Sequence, residues 1–151
     1  MISISTTSRV ETQKLAQKLA TQLKAGDVLL LSGDLGSGKT TFTQGMAQSL
    51  NVRGTITSPT FVIARLHPSL TNGPALLHVD AYRLNSLAEI QDLDLVSDIS
   101  RAIVVVEWPR EMMNDLTEKP LKIDFSTDPI HENTRTITIN ADSKIEKYLT
   151  S

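Results

Sequence analysis

Between residues 28 and 41 the chain reads Val28-Leu29-Leu30-Leu31-Ser32-Gly33-Asp34-Leu35-Gly36-Ser37-Gly38-Lys39-Thr40-Thr41. Gly33 to Thr40 has the spacing G-x-x-x-x-G-K-[ST] of a phosphate-binding loop. Each residue type answers a need of polyphosphate chemistry. The three glycines let the backbone come close to a ligand, and its N–H groups can converge on phosphate oxygens. The N-terminus of a following helix adds unpaired donors and a partial positive charge. Lys39 can reach β- and γ-phosphates, and the Thr40 hydroxyl can coordinate Mg²⁺. The alternative is a plain glycine turn. With average residue usage the pattern arises by chance in roughly one chain in two hundred of this length, and here it sits between a strand-like and a helix-like segment. The expectation is therefore a nucleotide site, with Asp34, Leu35, Ser37 and Thr41 completing the binding loop.

Two acids close apolar runs. Asp80 ends Leu76-Leu77-His78-Val79, and Glu107 ends Ala102-Ile103-Val104-Val105-Val106. A carboxylate at a strand end beside a phosphate loop can hold Mg²⁺ directly or through water, or orient an attacking water. Strands also simply end in polar residues; the phosphate loop tips the reading towards function. Ser58 and Thr60 follow the phosphate-binding helix, where hydroxyls sense the γ-phosphate in many such proteins; an ordinary turn is equally open. His78 reads as a packed strand histidine. His67 and His131 sit in turn-like surroundings without metal spacing; Arg83 and Arg110, near the two acids in sequence, could contact phosphate or a partner, though solvated or salt-bridging arginines are the commoner case. No Asn precedes a Lys, and Asp80-Ala81-Tyr82-Arg83 lacks the D-x-x-G of a GTPase switch, which favours ATP. The missing Leu-Ser-Gly-Gly-Gln signature argues against a transporter-type ATPase.

The elements that must position these residues follow from periodicity. Ile2 and Ile4 alternate with serines, as in a half-buried strand. Ser8 and Glu11 have capping-box spacing, and Leu15, Ala16, Leu19, Ala20 and Leu23 line one helical face behind them, with Gly26 as the expected stop. Residues 28–32 form the strand feeding the loop, and 39–50 a helix burying Phe42, Met46, Ala47 and Leu50. Phe61–Leu66 and Ala75–Asp80 read as strands joined by the turn-rich segment 67–74. Ser86 and Glu89 repeat the capping spacing, for a short helix to about Leu93. The unbroken apolar run 102–106 suits a central parallel strand. Leu121–Phe125 and Arg135–Ile139 read as late strands, and Lys144–Leu149 as a terminal helix. Trp108 leaves the central strand between Glu107 and Pro109. Proline biases it towards an extended backbone, and it is placed to report nucleotide arrival. The expected fold is α/β: a three-layer arrangement with a central, partly parallel mixed sheet flanked by helices and the phosphate loop beyond the carboxyl end of its strand.

Composition sets the bounds. At 151 residues, 40% hydrophobic and 21% charged, a single domain is expected. The net charge of −2 gives no basic footprint for tight direct nucleic-acid binding. The absence of cysteine excludes disulfides and is compatible with a reducing compartment. The first residues show no basic region followed by an apolar run, so neither a signal peptide nor a membrane span is expected and the default location is the cytosol.

Four blocks together resemble the TsaE (YjeE) family: Gly33–Phe42, Ser58-Pro59-Thr60-Phe61, His78-Val79-Asp80-Ala81-Tyr82-Arg83-Leu84 and Val106-Glu107-Trp108-Pro109. The resemblance spans roughly residues 8 to 140. It implies a P-loop ATPase subunit in bacterial tRNA threonylcarbamoyladenosine (t6A) synthesis. Such a subunit acts with the transferase TsaD and its partner TsaB, meets tRNA indirectly and supports turnover without transferring the group itself. Carried over, Lys39 and Thr40 bind phosphate and Mg²⁺, Glu107 sits at the metal, Asp80 positions or activates water, and Ser58 and Thr60 fall in a switch-like loop. Thr12 and Arg135 match positions flanking the adenine. One departure is Asp94, which stands where the family usually has a glycine. A small-molecule kinase is the first alternative, though no arginine-rich lid is present. An ATP-binding regulatory module is the second, and the two acids argue against it.

Overall fold

A computed structural model of the protein describes residues 1–57, 64–82, 100–109 and 116–151. Seven strands form one mixed sheet: β1 (Ile2–Thr6), β2 (Val28–Ser32), β3 (Ala64–His67), β4 (Ala75–Asp80), β5 (Ala102–Glu107), β6 (Leu121–Thr127) and β7 (Arg135–Asn140), in the order β1-β7-β6-β2-β5-β4-β3. The central four, β6, β2, β5 and β4, are parallel. The two edges are antiparallel: β1 and β7 on one side, β3 on the other. This is the partly parallel α/β sheet the sequence predicts, and its parallel core follows from runs such as Ala102–Glu107 that are buried along their whole length.

Three described helices, α1 (Arg9–Ala20), α2 (Lys39–Leu50) and α3 (Ser143–Thr150), pack on one face of the sheet. Leu15 and Leu19 of α1, Phe42 and Met46 of α2 and Leu149 of α3 share a core with Leu29, Leu31, Ile103, Val105, Ile123 and Ile137. Phe42 meets Phe125 edge-on at 5.4 Å between ring centres. Val28, Leu30, Leu77, Val79, Val104 and Val106 form a second apolar cluster on the opposite face. On β6 that opposite face carries the exposed Lys122, Asp124 and Ser126. The helix expected over 86–93 and the Asp94 departure lie outside the described residues, as do Arg83 and Arg110.

Local chemistry explains most boundaries. Ser8 caps α1 by accepting the Glu11 N–H at 3.1 Å, and Glu11 accepts the Thr7 N–H at 2.6 Å in return. Asp142 caps α3 the same way, through the Ile145 N–H at 2.9 Å. The end of α1 differs from the expectation. It stops at Ala20, and Gln22 and Leu23 donate to Leu19 and Ala20 in tighter i−3 turns. Gly26 ends the connection rather than the helix: its N–H bonds to Ala102 at the start of β5. His67 also departs from its turn-like reading. It closes β3, is buried, and lies with Nδ1 2.9 Å from the Arg53 carbonyl; burial pushes its pKa down. His131 does sit in an exposed turn. Among the described residues no helix is long and apolar enough to cross a membrane.

Candidate functional site

Because β2, β4 and β5 run parallel, their carboxyl ends meet at one edge. Leu31 pairs with Glu107, and Glu107 pairs on its other side with Asp80. Alternation along the strands puts His78, Asp80 and Glu107 on the same face as Leu76 and Val105, the face that α2 covers. The chain leaves β2 through Gly33 and turns into α2 at Lys39. At Gly33, φ is +153°, and a Cβ there would lie 2.6 Å from Ser37 Oγ and 2.8 Å from the Phe125 carbonyl, so only glycine fits. Gly38 caps α2 at φ +107° with no side chain to accept from the first turn. The N–H groups there are left for another acceptor. The Ser37 hydroxyl is buried and has no hydrogen-bond partner among the described residues.

Lys39 is buried against this loop. Its Nζ donates to the Gly33 carbonyl and, at 3.1 Å, to the Asp34 carbonyl, and lies 3.9 Å from the centre of the Trp108 ring. Burial pushes the Lys39 pKa down, and the charges of Glu107, Asp34 and Asp80 act against that. Among the described residues the acceptors of this ammonium are two neutral carbonyls, and phosphate oxygens would supply anionic ones. Thr40 donates its hydroxyl to Glu107 Oε1 at 3.1 Å, and Glu107 Oε2 lies 2.7 Å from His78 Nε2. Asp80 Oδ1 accepts the Tyr82 N–H at 2.9 Å. The strand-end acids are thus both buried and adjacent.

A cleft of about 380 Å³ opens over the loop. Gly36 to Thr41 with Leu35 form its floor, Glu107 and Trp108 one wall, and Ser8, Arg9, Thr12, Asn133 and Arg135 the rest. The predicted Thr12 and Arg135 therefore do reach the cleft. Thr12 is held by a 2.7 Å contact with the Thr6 hydroxyl, and Arg135 ties β7 to the loop through the Gly36 carbonyl at 3.1 Å. Asp80 lies beside Glu107 without lining the cleft. Ser58 and Thr60 lie outside the described residues. Trp108 is at the predicted place but in an unpredicted conformation. Its φ is +56°, left-handed rather than extended, which accompanies the ring's seat over Lys39 and its edge contact with Tyr82 at 5.8 Å. Arg9, Asn133 and the His78 contact were missed in the sequence. Only His78 had a usable signal: its i, i+2 spacing to Asp80 puts both side chains on one strand face.

The chain is also similar to known proteins. Residues 6–137 match the family model described as "Threonylcarbamoyl adenosine biosynthesis protein TsaE". The chain is 49% identical over 130 residues to the tRNA threonylcarbamoyladenosine biosynthesis protein TsaE of Streptomyces coelicolor, covering 84% of this chain and 88% of that one. It is 45% identical over 142 residues to its namesake from Mycobacterium tuberculosis H37Rv, at 89% and 84% coverage. For the one from Aquifex aeolicus the identity is 34% over 134 residues, at 87% and 90%. The crystal structure of Bacillus subtilus YdiB superposes with a TM-score of 0.73 at 28% identity, covering 99% of this chain and 91% of that chain.

Proposed function

The chain belongs to the TsaE family of threonylcarbamoyl adenosine biosynthesis proteins, and from that membership we propose that it binds Mg²⁺ and ATP in the cleft and hydrolyses the nucleotide. The observation that carries the reading is the joint presence, at one sheet edge, of a glycine cradle, a Lys39 ammonium lying on it and a Thr40 hydroxyl bonded to Glu107. The donor set fits the metal: one hydroxyl and adjacent carboxylates are the hard oxygen ligands Mg²⁺ takes. Thr40 and Glu107 would hold it, and its charge would offset that developing on the β- and γ-phosphates.

The chain's own residues do the rest. The loop N–H groups and the start of α2 take the phosphate oxygens. Lys39 exchanges the Gly33 and Asp34 carbonyls for those oxygens, because an anionic acceptor adds Coulomb attraction to the ammonium that a neutral carbonyl lacks. Asp80 sits beside Glu107 and is the candidate to orient the attacking water or accept its proton. Thr12 and Arg135, on the far wall, flank the base. Trp108 covers Lys39 and limits water access. On this reading hydrolysis supports turnover of the threonylcarbamoyl transferase TsaD with TsaB, in the cytoplasm, and tRNA is met only through them.

Titration calorimetry with ATP and Mg²⁺ tests the site. Loss of charge-assisted hydrogen bonds, each worth roughly 1.5–3 kcal/mol, should weaken binding to Lys39→Ala by about 10- to 100-fold. Equal affinity in the variant would remove the assignment.

A further inference from the structure

Nucleotide contacts do not account for His78. It is 1% exposed and absent from the cleft wall, whereas Glu107, 3% exposed, lines it. On β4, His78 stands opposite Val105 of β5, so it reaches Glu107 diagonally along the shared face. The two Glu107 oxygens have different partners: Oε1 takes the Thr40 hydroxyl at 3.1 Å and Oε2 lies 2.7 Å from His78 Nε2. A carboxylate only accepts, and a contact of this length to Glu107 is met by the Nε2–H tautomer of His78 as donor. The terminal torsion of a glutamate is otherwise broad, and here the two bonds fix it from both ends. One bond comes from the cleft side and the other from within the core.

We propose that His78 is a positioning residue for Glu107, its Nε2–H fixing one carboxylate oxygen so that the other stays aimed at Thr40 and the metal position in the cleft. The inference rests on the nucleotide reading above. A histidine that merely satisfied itself in the core would tolerate any packing-conserving replacement equally. A positioning histidine requires the donor. His78→Gln keeps a side-chain N–H able to reach Glu107, whereas His78→Leu keeps bulk and loses the donor.

The test uses the whole chain and a non-hydrolysable ATP analogue, titrated calorimetrically at a series of Mg²⁺ concentrations and once in chelator. His78→Leu should raise the Mg²⁺ needed for half of the affinity gain by roughly 10-fold or more, the usual cost of losing a group that holds a metal ligand. Its affinity in chelator should stay near that of the wild type, and His78→Gln should recover most of the loss. Equal behaviour of the two variants, or an unchanged Mg²⁺ requirement in His78→Leu, overturns the proposal. Should the leucine variant not fold, nitrogen NMR of the wild-type imidazole decides: an Nε2-protonated tautomer is expected, and an Nδ1-protonated one overturns it. If wild-type affinity is indifferent to both Mg²⁺ and Lys39→Ala, the nucleotide reading falls too. If it responds to both while His78→Leu tracks the wild type, only the role of His78 falls.

Discussion

The ammonium of Lys39 is where the residues of the site converge. It sits on two loop carbonyls and under the Trp108 ring. A cation over an indole is worth about 0.5–2 kcal/mol, comparable with a charged hydrogen bond, so phosphate arriving at Lys39 should alter the packing and field at the ring above it. Trp108 is the chain's single tryptophan, and its fluorescence should shift when ATP and Mg²⁺ are added to the wild type and stay flat in Lys39→Ala. A spectrum constant through saturation, with binding verified by calorimetry, would contradict the contact's role. At this scale the sequence was informative about which residues the cleft gathers and poor on posture. The glycine-lysine-threonine spacing named the loop, because a phosphate cradle is built from consecutive residues. The left-handed turn at Trp108 was hidden because Pro109 argues locally for extended backbone, while the contacts with Lys39 and Tyr82 come from distant segments.

Among the elements, the α1–α2 pair decides whether the cleft has a second wall, since α1 brings Ser8, Arg9 and Thr12 to it. The two helices touch at Gly45, where an added Cβ would lie 2.5 Å from the Gln13 carbonyl and 2.7 Å from Gln13 Cα. Gly-to-Ala inside a helix ordinarily stabilises by about 0.5–1 kcal/mol. Here Gly45→Ala should do the reverse, by roughly 1–3 kcal/mol, because backbone has to give way. Thermal denaturation checks the sign, and a raised midpoint would mean that the helices are not so tightly apposed. The strands at 28–32 and 75–80 and the helix at 39–50 were legible to the residue, and the strand read at 102–106 runs one residue further to Glu107, since burial on both faces and the phosphate loop leave strong local patterns. The end of α1 was not. Gly26 looks like a stop in sequence, yet its N–H is engaged by Ala102 across the sheet, a contact no local pattern carries. Arg9 and Asn133 escaped notice for the same reason: they approach the loop only through the packing of α1 and the turn before β7.

For the molecule as a whole, the parallel centre of the sheet is what gathers Gly33, Asp80 and Glu107 at one edge, and the resemblance to TsaE proteins supplies the setting in which such an edge works. On the proposed function the chain supports another enzyme's turnover and should be slow by itself. Phosphate release by the lone chain should therefore be low and rise when TsaD and TsaB are added; a rate that is high alone and indifferent to them would favour an independent enzyme. The direct test of the central claim is steady-state phosphate release with both partners present, in wild type, Lys39→Ala and Glu107→Ala. The account expects Mg²⁺-dependent release in the wild type and a fall of at least about 100-fold in each variant, the scale of removing one preorganised charge-stabilising group. Wild-type rates in both variants would show that the loop and the strand-end acid do no chemistry on ATP.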